Sequence, residues 1–140
     1  MRVGLLRTVG AATALYGLAV TMQPGLLARP SGLVDAEGRT AEHTRVSLRP
    51  LAWRDMASGL VMVAAPDGAA LRTATLLRIA ADFGDALLLG RTLPDRDKRG
   101  KAVAVSAAWG ALSVAGLLAG GGREGDGTAG RRGAGSHAAA

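Results

Sequence analysis

Two groups of charged residues, Arg54-Asp55 and Arg78 with Asp82 and Asp85, interrupt stretches that are otherwise apolar enough to read as membrane-spanning helices. An isolated charge near the centre of a span costs roughly 2.5 to 3.5 kcal/mol, so charges placed there must pair with one another or line a polar space. That constraint points to an all-α integral membrane protein in which at least two helices meet across a polar layer.

The rest of the composition agrees. A chain of 140 residues allows one domain, and a soluble domain of this size ordinarily buries a mixed aliphatic and aromatic core. Here the aromatic residues are only Tyr16, Trp53, Phe83 and Trp109, and Ala, Leu, Val and Gly supply most of the apolar surface. Small residues suit helices that approach closely in lipid, where association relies on backbone packing. There is no cysteine, which excludes disulfides, thiolate nucleophiles and Cys-based metal sites. The net charge of +6 sits mainly in the connections and the tail, where it reports orientation and contact with anionic lipid. Nucleic acid is not expected as a partner, because no basic stripe with interleaved aromatics is present.

Four spans follow along the chain, at about 3–22, 51–66, 69–93 and 102–120. The first is apolar apart from Arg7 and is long enough to cross the hydrocarbon. A cleaved signal peptide is the rival reading, since Arg2 and Arg7 precede an apolar run and Gly17-Leu18-Ala19 has small-x-small character. Residues 23–50 read as a polar connection rich in Pro and Gly, with room for a short surface helix around Thr40 to Leu48. The second span is expected to start near Pro50, a residue tolerated in a first helical turn, and is short for a span. Pro66-Asp67-Gly68 is a tight turn into the third. Residues 91–101 form a charged turn, and 121–140, rich in Gly, Arg and Ala, form a disordered tail. Small residues are expected to pack helices against one another at Gly59, Gly84, Gly116 and Gly120. The connections 23–50 and 91–101 hold nine Lys and Arg, which places them in the cytoplasm and both termini outside. Arg7 and Arg72 lie near the ends of their spans and are expected to reach the headgroups.

If the second and third spans form a hairpin turning at 66–68, residues equally distant from the turn lie level. Arg54 and Asp55 come 13 and 12 residues before position 67, and Arg78, Asp82 and Asp85 come 11, 15 and 18 after it, so all five charges are expected to gather in one layer. On a helix, positions 78, 82 and 85 also share a stripe, and Arg78 can pair with Asp82 one turn on. A structural reading makes the layer an ion network that fixes helix register. A functional reading makes it the wall of a cavity that binds a solute or relays protons through Asp82 or Asp85, because three carboxylates exceed two arginines. As a transporter the protein is expected to work as a homo-oligomer, since four helices alone enclose little space. No catalytic, metal or cofactor motif is legible: His43 and His137 are the only histidines, and no Gly-rich phosphate loop follows a strand. The expectation is a non-enzymatic protein without cofactor.

Leu15-Tyr16-Gly17 with Pro24, Arg54-Asp55 followed by Gly59-Leu60, and Asp85-Ala86 together resemble a family of small bacterial and fungal four-helix membrane proteins, domain of unknown function 4267. The likeness covers about residues 4–118 and leaves out the tail. It implies a multi-pass protein of the bacterial cytoplasmic membrane in which Arg54, Asp55, Gly59 and Asp85 matter most. Trp53 stands where that family is expected to carry a small or aliphatic residue. The family brings no established activity, so the ligand stays open.

Overall fold

The computed structural model describes residues 1–93 and 95–119, which form five α-helices and no strand. In chain order these are α1 (Val3–Met22), α2 (Gly25–Ala28), α3 (Glu42–Ala64), α4 (Ala69–Thr92) and α5 (Arg96–Leu118). Their ends follow local rules. α1, α3 and α4 stop within a residue or two of Pro24, Pro66 and Pro94, because a proline disfavours the helical conformation in the residue before it. Ala65 and Leu93, each just before a proline, have left the helical region. Gly68 turns the chain from α3 into α4 at φ +97°, a conformation that a side chain resists. At the start of α5 the Asp95 carboxylate accepts from the backbone N–H of Asp97 at 3.0 Å and of Lys98 at 3.2 Å. Those donors, Lys98 first, hold its pKa below the ordinary aspartate value.

The four long helices pack as two antiparallel pairs. α1 lies on α3 with almost no side chain between them: a Cβ on Gly17 would fall 2.5 Å from the Met56 backbone nitrogen, and one on Gly59 would fall 2.5 Å from the carbonyl oxygen of Gly10. Helices can come this close only where glycine removes the Cβ. α4 lies on α5, with Gly110 against Phe83 and Asp82 and Gly90 against Val103. The pairs meet along α3 and α4 and along α1 and α5, more loosely than within each pair. The Arg2 N–H donates to Gly116 at 2.7 Å, and Trp109 Nε1 donates to Thr13 Oγ1 at 2.8 Å, tying α5 to α1. The apolar core, Leu6, Val9, Met62, Leu71 and Ala74, fills the end where α3 turns into α4.

The outer surface is oily. Leu76, Leu77, Leu87 and Leu88 on α4 and Leu112 and Leu118 on α5 are all exposed. α1 and α5 are long and apolar enough to cross a membrane, and only 17 % of the apolar window of α5 is buried, so α5 is no ordinary core helix. α3 and α4 do not pass that test, since the charges of the polar layer lie within them.

Several expectations are corrected. α3 does not begin at Pro50 but at Glu42, so the short helix expected around 40–48 and the span after it are one 23-residue helix with Pro50 inside. Proline forfeits one hydrogen bond and crowds the preceding turn, but residues 42–49 contain no other breaker and Leu48 is buried. The charged turn expected at 91–101 is helical from Arg96 onward, because Asp95 caps it. Arg7 does not simply reach outward: it donates to the carbonyls of Val63 at 2.9 Å and Ala65 at 3.3 Å and pairs with Asp67, satisfying the end of α3. Of the packing glycines, Gly59 lies against α1 and Gly116 against Leu6, whereas Gly84 has no neighbour within 4 Å and packs nothing. Gly120 and the tail expected at 121–140 lie outside the described residues.

Candidate functional site

All five charges expected to share a layer are joined in one network between α3 and α4. Arg54 grips Asp85 with both terminal nitrogens, Nη1 to Oδ1 at 3.0 Å and Nη2 to Oδ2 at 2.5 Å, and Nη2 also reaches Asp55 Oδ1 at 3.1 Å. Asp55 Oδ1 accepts a second bond from Arg78 Nη1 at 2.8 Å. Arg78 closes the chain on Asp82, one turn along α4, with Nε donating to Oδ2 at 3.1 Å and Nη2 donating to Oδ1. The order is therefore Asp85, Arg54, Asp55, Arg78, Asp82, with the signs alternating throughout. Two paired forks at the ends, each a planar guanidinium on a carboxylate, are the strongest geometry available to such groups.

The two halves differ in burial. The side chains of Arg78 and Asp82 are 5 % and 2 % exposed, whereas that of Arg54 is 38 % exposed. Arg54 is the more exposed of the two arginines, yet its Nε is buried without a hydrogen-bond partner among the described residues. Ser58, one turn after Asp55 on α3, adds a contact to Arg78 Nη1 at 3.4 Å. Asp55, Asp82 and Asp85 each face a guanidinium, and among the described residues no group of carboxylates or histidines is placed to hold a metal ion.

One side of this network is a wall of a cavity of about 500 Å³. Asp55, Arg78, Asp82 and Asp85 are charged lining residues, and Leu51, Leu89 and Val105 are among the apolar ones. The cavity runs between the two helix pairs, from Trp109 toward Lys101 on α5 and past the loop after α2, where Pro30 and Ser31 line it. The residues that line this cavity all come from one chain.

The charge layer was legible, but several of its neighbours were not. Tyr16 lines the cavity together with Asp55, next to Gly17, which seats α1 on Ala52–Met56 of α3. Trp109 and Lys101 line it from α5. The spacing 101, 105, 109 is a one-face helical repeat that could have flagged the α5 wall, but only its junction with α4 and α1 makes that face concave. Gly10 and Gly17, two turns apart on α1, were a visible signal for the seam with α3.

No protein-family model, no curated protein and no solved structure matches this chain.

Proposed function

We propose that the protein is a multi-pass membrane protein, a bundle of four spanning helices of the bacterial cytoplasmic membrane, that binds a small solute in the cavity beside its intramembrane arginine and aspartate network. The observation that carries this reading is the joint occurrence of a mutually neutralising ion network and an open cavity at the middle of helices whose outer faces are apolar. The charges that keep α3 and α4 from reading as spans are the same ones that pair with each other, so each helix alone is costly in lipid and the two together are not. At about 1.5 Å per residue, helices of 20 to 24 residues reach 30 Å or more, the thickness of the hydrocarbon. α1 belongs to the bundle in this reading, since Leu6 and Val9 enter the core and its glycines seat α3. The resemblance to domain of unknown function 4267 is part of the same proposal and rests on Leu15-Tyr16-Gly17 with Pro24, Arg54-Asp55 followed by Gly59-Leu60, and Asp85-Ala86, of which Arg54, Asp55 and Asp85 belong to the network.

A second reading, a proton-coupled transporter working through Asp82 or Asp85, is favoured by both carboxylates lining the cavity. Replacing both by Asn removes pH-dependent flux from proteoliposomes on that reading; unaltered flux discards it.

The absence of native cysteine makes topology direct to measure. Glu37→Cys and Asp97→Cys, on the two basic connections, are expected to label from the cytoplasmic face and Ala70→Cys from the other, with the protein retained in carbonate-washed membranes. Recovery in the soluble fraction, or all three positions labelling from one side, defeats the four-span reading.

A further inference from the structure

We infer that the solute is an organic monocation, an ammonium compound carrying an apolar body, held by Asp55 between Tyr16 and Trp109. This rests on the solute-binding reading above and adds the chemistry of the ligand.

The first ground is an unspent acceptor. Asp55 lies between two arginines yet gives both of them the same oxygen, Oδ1. Its Oδ2 takes no hydrogen bond among the described residues, while Asp55 itself lines the cavity. A carboxylate oxygen left open beside an apolar space accepts a donor or a cation and repels an anion. Asp85 and Asp82, by contrast, each give both oxygens to one guanidinium.

The second ground is how charge is distributed. By formal charge two arginines against three aspartates leave one negative charge in the network, and Lys101, the further cation lining the cavity, stands apart from it at the other end.

The third ground is where the aromatic residues lie. The chain has only four, and two of them, Tyr16 and Trp109, line this cavity with Asp55. Trp109 is anchored by its bond to Thr13 Oγ1, so its ring is held in place. Aromatic faces beside a carboxylate are the setting in which substituted ammonium groups are bound, through the ring quadrupole. The remaining wall, with Leu51, Leu89 and Val105, accommodates the apolar body.

Lys101 marks the opposite end of the cavity, about 10 Å along α5 from the level of Asp85 at 1.5 Å per residue. A cation that settles at Asp55 lies beyond it, and an anionic ligand would instead stop at Lys101. The two alternatives therefore predict opposite signs for a change at this residue.

The test uses the full chain in lipid nanodiscs carrying Trp53→Phe, which leaves Trp109 as the only tryptophan reporter. Benzyltriethylammonium is titrated alongside an anion of similar size, 4-tert-butylbenzoate. Saturable quenching by the cation is expected. Tyr16→Leu, which leaves the ion network intact, should weaken binding about threefold to tenfold, and Asp55→Asn by tenfold or more. Lys101→Gln should strengthen it. If Asp55→Asn does not fold, the Tyr16 and Lys101 variants still decide. Saturable binding of the anion alone, weakened by Lys101→Gln, overturns the monocation and leaves the cavity as a binding site. Saturable binding of neither probe overturns the monocation as well, and unlabelled Cys variants lining the cavity, with Val105→Cys inaccessible to small thiol reagents, would then remove the solute-binding reading too.

Discussion

α3 is held on two faces by opposite means. Toward α1 it presents Ala52, Met56 and Gly59, and the two backbones touch where Gly10, Gly17 and Gly59 remove side chains. Toward α4 it presents Arg54, Asp55 and Ser58, and the helices stand apart across a charged network with a cavity beside it. The first seam excludes everything and gains dispersion from close contact. The second is kept open by the length of the arginine side chains, and what holds it is directional. The first kind of seam gives rigidity, and the second is where a ligand can find polar groups. The two also fail differently: the tight seam by collision, the charged one by leaving a partner alone.

The largest effect is expected in the charged seam. Arg78→Ala strands Asp82 and takes one of two partners from Asp55, and losing one member of a buried pair costs about 3 to 5 kcal/mol. The double variant Arg78→Ala with Asp82→Ala should cost clearly less than the two single changes summed, because no carboxylate is then stranded at that end. Reversible unfolding in bicelles measures both; strict additivity would break the claim that the network acts as a unit.

Next comes a pair of glycines that look alike in the sequence. Gly59→Ala places a Cβ 2.5 Å from the backbone of α1 and should destabilise by about 3 kcal/mol, since neither backbone can yield as a side chain does. Gly84→Ala meets nothing within 4 Å and should stabilise by about 0.5 to 1 kcal/mol through helix propensity alone. Equal effects at the two positions would erase the distinction between the seams.

The smallest effect lies outside both seams. The Asp95 carboxylate has its pKa lowered in the folded chain by the N–H of Lys98 and of Asp97, so its capping contribution is complete above the ordinary aspartate value. It is lost as the pH falls through the lowered, folded value. Amide exchange in the first turn of α5 should rise over that acid range, while amides of Gly59 and Met62 in the tight seam keep their protection. Loss of protection at both places together would show that α5 and the seam are not independent.

How much of this was legible turns on what each residue type can say by itself. A charge in an apolar run carries an obligation to be paired, so Arg54, Asp55, Arg78, Asp82 and Asp85 could be grouped from spacing and a turn at Pro66-Asp67-Gly68. A glycine carries only a permission. Gly84 allows a close approach that no helix makes, and Gly17 allows one that α3 does make, and nothing local separates them. Pro50 misled for a related reason: it suits a helix start, but helix on both sides of it can absorb the lost bond.

The order of residues alone determined that this chain is helical, that its helices carry oily outer faces, and that its interior charges had to meet, because periodicity, proline placement and the cost of a lone charge are local quantities. Only the tertiary structure decided that α3 would lean on α1 and stand off from α4, which oxygen of Asp55 would stay free, and that Tyr16 and Trp109 would share a wall with it. Those outcomes depend on which helix faces fill the same space, and that is a property of the whole packing, which no single stretch of the chain contains.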